Sequence, residues 1–187
     1  MAGIITETEA YMGVTDKASH AYMGRRTART ETMYLPGGYA YVYLIYGIYS
    51  CMNITANEND NPEAVLIRGV LPVLGFEIML ENHQAFTSAR RKGETVNVSR
   101  YEKAPHTLTD GPGKLCAAMK IDRTLDKAPM FPHETDIPCQ IFVSAPPFSA
   151  DFTVSASPRI GIPYAEEAAL FPWRFTASFR SQKPTIV

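Results

Sequence analysis

The stretch from Met33 to Asn53, MYLPGGYAYVYLIYGIYSCMN, constrains this chain more than any other. It holds six of the ten tyrosines: Tyr34, Tyr39, Tyr41, Tyr43, Tyr46 and Tyr49. From Tyr39 to Leu44 the pattern has period two, which sets Tyr39, Tyr41 and Tyr43 on one face of a strand and Ala40, Val42 and Leu44 on the other. A membrane helix is excluded, because a span needs about 20 consecutive apolar residues and Gly37, Gly38 and Gly47 interrupt this segment. A second apolar run, Ile48 to Ile54, follows Tyr46-Gly47, so the pattern predicts an antiparallel hairpin with Tyr46 at or near its tip. Tyrosine also suits an ordinary half-buried pleated surface, so the run indicates sheet before it indicates a binding site.

The remaining composition narrows the class. At 187 residues and 45% hydrophobic content, one domain around a single core is expected. With a formal net charge of −1 any basic footprint must be local. Two such clusters exist, Arg25, Arg26 and Arg29 in GRRTART and Arg90, Arg91 and Lys92 in SARRKGE. Cys51, Cys116 and Cys139 form no CxxC pair, and His20, His83, His106 and His133 are scattered, so reduced thiols and no metal site are expected. Glu7 and Glu9 fall where an export signal needs an apolar core, which points to the cytoplasm, or to the nucleus in a eukaryote.

Gly3 to Tyr11, GIITETEAY, alternates as a strand with Ile5, Glu7, Glu9 and Tyr11 on one face. Glu9 and Tyr11 then stand roughly 6.5 to 7 Å apart on that side. Val14 to Thr32 is polar and irregular and reads as a surface loop containing His20. Ala64 to Val70, AVLIRGV, reads as a buried central strand whose single charge, Arg68, needs a partner; Glu9 is the expected one. Pro72 is expected to open a helix running to about Gln84, and Ala85 to Thr109 to form a polar surface insertion. Asp110 to Leu115, DGPGKL, opens another helix but is no P-loop, because Lys114 is followed by leucine rather than Ser or Thr. From Ile137 onward, IPCQIFVS, FTVSA, PRIGI and WRFTASF read as short strands. The fold class is therefore mixed α/β of the α+β kind, with a mainly antiparallel core.

Taken jointly, ETEAYMG (7–13), His20, RRTART (25–30), YVYLIYGIYSCMN (41–53), AVLIR (64–68), DGPGKLC (110–116), PRIGI (158–162) and PWRF (172–175) resemble the alkyladenine (3-methyladenine, or methylpurine) DNA glycosylase family, in the family's order across nearly the whole chain. The resemblance implies a single α+β domain over residues 1–187, with a curved β core and a protruding tyrosine hairpin. It implies a monofunctional base-excision enzyme that works as a monomer, without cofactor or membrane, on double-stranded DNA carrying alkylated or deaminated purines such as 3-methyladenine and hypoxanthine. Glu9 matches the base that activates the attacking water, and Arg68 the arginine that positions carboxylate and water. Tyr11 on one side, with His20 and Tyr43 on the other, match the walls that stack a flipped base. Asn53 matches the asparagine that disfavours the exocyclic amino group of normal guanine, and Tyr46 the side chain that fills the gap in the duplex. Arg25, Arg26, Arg29 and Lys114 are assigned to phosphates, and no lysine at the catalytic motif implies no lyase chemistry. The family also carries a further segment ahead of the strand bearing Glu9, whereas this chain starts nearly at that strand.

Two other readings stay open on the residues alone. Glu7 and Glu9 have a separation near that of an inverting carbohydrate hydrolase, with the tyrosines as sugar platforms; Glu7→Gln is then as damaging as Glu9→Gln, but mild in a glycosylase. Alternatively the tyrosines stack bases in a non-catalytic nucleic-acid binding module.

Overall fold

The computed structural model describes residues 1–90, 96–131, 141–145 and 151–179. They form one six-stranded antiparallel sheet in the order β2-β3-β4-β1-β6-β5, built from β1 (Ala2–Tyr11), β2 (Ala40–Ile45), β3 (Tyr49–Ala56), β4 (Glu63–Leu74), β5 (Phe152–Ser157) and β6 (Arg174–Phe179). Helices α1 (Phe76–Arg90), α2 (Val98–Lys103) and α3 (Pro112–Ala118) accompany the sheet, giving the mixed α/β architecture that the pattern of elements predicts.

β2 is buried on both faces over its first three residues, which explains why its sequence reads as almost continuous apolar and aromatic. On one side Ala40 and Val42 join Met52, Ile67 and Val70 against Leu115 and Cys116 of α3. On the other, Tyr41 packs with Ala64, Ala21, Met33 and Tyr34. That second layer corrects the reading of Val14–Thr32 as a surface loop. Asp16, Ala18, Ser19, Ala21, Thr30 and Thr32 are buried, and Asp16 and Thr30 are satisfied by hydrogen bonds within the chain. Polarity misled there because the polar groups have partners inside the fold, some local and some, such as Arg159 on Asp16 and Asp126 on Thr32, far away in the chain.

Pro72 is not a helix start; it lies inside β4, opposite Gly3 of β1. β3 pairs with β4 only up to Leu66, so on that side Pro72 has no ladder bond to lose. α1 begins four residues later, and runs to Arg90 rather than Gln84. Within Ala85–Thr109, residues 85–90 complete α1 and Val98–Lys103 form α2, whose Tyr101 is buried against Phe76, Met79 and Leu108. PRIGI is a loop leading into the 3-10 segment Pro163–Leu170, not a strand. FTVSA and WRFTASF are β5 and β6 as expected; of IPCQIFVS, residues 141–144 form no strand and residues 137–140, with Cys139, lie outside the described residues, as does His133.

The β2–β3 hairpin closes with a hydrogen bond from the Ile48 N–H to the Ile45 carbonyl, and both Tyr46 (φ +54°) and Gly47 (φ +64°) are left-handed. Positive φ at successive tip residues matches the twist of a hairpin. Helix α1 braces this end: Arg90 donates to the Ile48 carbonyl (2.6 Å) and lies over the rings of Phe86 and Tyr49.

Candidate active site

The site grows from the ends of β1 and β4. Their register slips around Glu7, leaving Thr6 and Arg68 without opposite partners. A slip of this kind re-aims side chains, and here it brings Arg68 to both acids of β1. Its Nε donates to Glu7 Oε1 (2.8 Å) and its Nη1 stands 3.4 Å from Glu9 Oε1. The sequence paired Arg68 with Glu9 alone; the closer contact is with Glu7, which also accepts from Arg174 Nε (2.6 Å). Burial acts to raise the Glu7 carboxyl, but the hydrogen bonds from Arg174 and Arg68 outweigh it and hold the group below its ordinary value.

Glu9 is 0% exposed. Tyr11 donates its hydroxyl to Oε2 (3.0 Å) and the Ile160 N–H donates to Oε1 (2.7 Å). A carboxylate offers about four lone-pair sites, so these donors leave acceptor capacity for a water. Ile160 is brought there by the turn at Gly161, whose φ of +79° suits glycine. Sequence reasoning missed this donor: PRIGI was noted as a motif, but a main-chain N–H carries no residue signature.

In front of Glu9 lies a cavity of about 180 Å³. For scale, an engineered apolar cavity of about 150 Å³ accepts benzene. Glu9 does not line it, but Tyr11, Arg68 and Ile160, all of which approach Glu9, do. So do the sequence-predicted His20, Tyr43, Asn53, Tyr46 and Arg29, together with Cys51 and Tyr164, which were not singled out. Tyr46 is 84% exposed at its rim.

The polar groups of the wall are fixed. Arg29 Nη2 faces His20 Nε2 (3.4 Å), so that nitrogen is an acceptor and Nδ1–H donates to Tyr41 Oη (2.9 Å). Burial, with Arg29 and Arg25 nearby, pushes His20 down to about 4, so the ring is neutral at pH 7. It meets Tyr43 edge-on, with centroids 4.6 Å apart. Burial raises the Tyr41 hydroxyl to about 12 and those of Tyr43 and Tyr11 further, so all three stay protonated. Asn53 Nδ2 donates to the Tyr41 carbonyl (3.2 Å), which orients its amide.

Three predicted phosphate residues stand away from the cavity lining. Arg26 is held by Glu31 and Asp60 and lies over Tyr34, Lys114 is paired with Asp110 (2.6 Å), and Arg25 is exposed. Among the described residues, no cluster of three or more His, Cys, Asp or Glu side chains is arranged to hold a metal ion, and no helix is long and apolar enough to cross a membrane.

This arrangement, a buried carboxylate behind an aromatic cavity with an exposed tyrosine at the rim, can now be set beside known proteins. A family profile described as Methylpurine-DNA glycosylase (MPG) matches residues 1–180. Three curated bacterial proteins, each named "Putative 3-methyladenine DNA glycosylase", are similar over most of their length. The protein of Clostridioides difficile is 44% identical over 176 residues, covering 91% of this chain and 82% of the relative. That of Clostridium novyi is 41% identical over 175 residues (94% and 79%) and that of Bacillus thuringiensis 41% over 174 (93% and 78%). With a profile match that runs from the strand bearing Glu9 through β6, the chain belongs to the methylpurine-DNA glycosylase family.

Proposed function

We propose that this protein excises alkylated purines such as 3-methyladenine, and deaminated ones such as hypoxanthine, from duplex DNA in the bacterial cytoplasm, by hydrolysis and without lyase chemistry. The observation that carries the reading is the fully buried Glu9, held by Tyr11, Ile160 and Arg68, directly behind an aromatic cavity.

A base inside the duplex cannot be reached, so it must be unstacked at a cost of a few kcal/mol, least for damaged or mispaired bases. Tyr46 offsets that cost by filling the gap. Tyr11, His20 and Tyr43 flank the extruded base, and aromatic faces bind a purine made cationic by alkylation more strongly than a neutral one. Asn53 disfavours the exocyclic amino group of normal guanine. Glu9 takes a proton from the attacking water and stabilises the oxocarbenium-like sugar, with Arg68 positioning the carboxylate and the water. Arg25, Arg26, Arg29 and Lys114 contact phosphates, Arg26 and Lys114 exchanging their present carboxylate partners for the backbone. An alkylated purine leaves without prior protonation, whereas hypoxanthine needs a proton from solvent, because Glu9 serves as base and the lining tyrosines hold their protons tightly.

The carbohydrate-hydrolase reading loses its second carboxylate. Glu7 is clamped between Arg68 and Arg174 and held ionised, the reverse of what a general acid needs.

The test is single-turnover release from a duplex with one central hypoxanthine or 3-methyladenine, comparing the parent with Glu9→Gln at matched DNA occupancy. Release by the parent that disappears in the variant, with binding retained, supports the proposal. A parent that binds damaged duplex and releases nothing turns the reading toward a lesion-binding module.

A further inference from the structure

Arg159 sits next to the residue whose amide holds Glu9, and its side chain is 0% exposed, as is that of its partner Asp16. The pairing is bidentate: Nη1 to Oδ2 (2.5 Å) and Nη2 to Oδ1 (2.8 Å). Nη1 also donates to the Ala10 carbonyl (2.9 Å) and Nη2 to the Ala168 carbonyl (3.2 Å). The guanidinium lies between two rings, 4.8 Å from the centroid of Tyr11 and 4.9 Å from that of Trp173. Asp16 in turn accepts from the Met12 and Ala18 amides. One side chain thus ties together the end of β1, the turn after it, the 3-10 segment at Ala168 and the approach to β6.

Such a pair is an expensive way to add stability. Taking both charges out of water costs several kcal/mol per ion, and an apolar replacement of similar volume is often as stable or more so. What the pair supplies is a fixed direction. With the Arg159 side chain anchored at four oxygens, the peptide between residues 159 and 160 is set, and that peptide carries the N–H aimed at Glu9. The same guanidinium lies against the Tyr11 ring, whose hydroxyl is the other donor to Glu9.

We infer that Arg159, clamped by Asp16, is a positioning residue for base release: it aligns the Ile160 amide and the Tyr11 hydroxyl on Glu9 without itself touching the base. The inference rests on reading Glu9 as the water-activating group. It assigns the PRIGI loop a task in the chemistry through its arginine.

The experiment compares the parent with Arg159→Lys and with the paired Asp16→Asn/Arg159→Met, which removes both charges while leaving one acceptor for the capped amides. Two quantities are read: the single-turnover release rate at saturating hypoxanthine duplex, and the dissociation constant for a duplex carrying an uncleavable abasic analogue. Small misplacements of a catalytic group cost up to about 100-fold, so the expected result is a rate at least about tenfold lower in both variants, with affinity within about threefold of the parent. Thermal melting identifies the folded variants; if the lysine variant does not fold, the paired variant carries the comparison. A folded variant releasing base at the parental rate overturns the inference, as does one in which rate and affinity fall together. If the parent itself releases nothing, the proposed function fails instead, so the two failures are distinguishable.

Discussion

Tyr46 is a residue in which backbone and side chain pull in different directions. It holds φ +54° at the hairpin tip, where Asn or Gly is ordinarily found, and its ring is among the most exposed apolar groups of the molecule. A bulky residue in a left-handed conformation costs about 1–2 kcal/mol, and strain retained at an exposed tip points to use. Tyr46→Asn restores the turn-favouring Asn-Gly pair. We expect it to raise stability by about 0.5–1 kcal/mol in urea melts, yet to slow release from duplex by about tenfold or more, because the wedge is gone. Release from a single-stranded oligonucleotide bearing the same lesion should change little, since no stacking gap needs filling; an equal loss on both substrates removes the wedge role. Alternation was enough to set Glu9 beside Tyr11 and Tyr41 beside Tyr43, and the turn pattern to put Tyr46 at the tip, while the roles proposed for them come from the family resemblance rather than from spacing. The Ile160 amide and the Asp16–Arg159 pair were not legible. One is a main-chain group, and the other joins residues 143 positions apart.

At the scale of the element, β1 works as a rack of acids whose register is set by β4. The slip around Glu7 leaves Arg68 opposite no residue, and its guanidinium then bridges Glu7 and Glu9. Glu7 therefore does structural work for the site, and its contacts argue for a larger effect of Glu7→Gln than the mild one expected from the sequence. The amide keeps one acceptor oxygen but no charge, leaving Arg68 and Arg174 to compete for it. Glu7→Gln is expected to lose about 1–3 kcal/mol of stability and to slow release measurably, although less than Glu9→Gln; urea melts and single-turnover rates on the same preparations check both. β1 and the hairpin were legible from alternation, and β4 as far as Val70 from its continuous apolar run. The start of α1 was not. Pro72 is as permissible on an unpaired strand side as in a first helical turn, and only the sheet order decides between them.

For the molecule as a whole, several groups that hold the site together titrate in the same sense. His20 is depressed to about 4 by burial and by Arg29 and Arg25, against 6.5 in the unfolded chain. Between those values the unfolded state binds more protons, so stability is complete above about pH 6.5 and falls as the pH drops toward 4. Asp16 and Glu7 are also lowered: burial opposes ionisation in each, but Arg159 with the Ala18 and Met12 amides, and Arg174 with Arg68, win. Each contributes stability above its ordinary value, 3.8 for Asp16 and 4.5 for Glu7, and loses it on further acidification. The protein is therefore expected to be acid-labile in two stages, the first from His20 between pH 6.5 and 4, joined by His83, which burial and Lys114 also lower, and the second from the carboxylates below that. Allowing for the partial exposure of His20, the first stage is on the order of 1–2 kcal/mol. Urea unfolding at half-unit steps from pH 7.5 to 3.5 measures it, and His20→Asn separates the stages: the upper slope should shrink to the part His83 carries, and the lower one should stay. An unchanged upper slope in that variant would assign the first stage to another group and remove the case for a neutral His20 in the cavity wall.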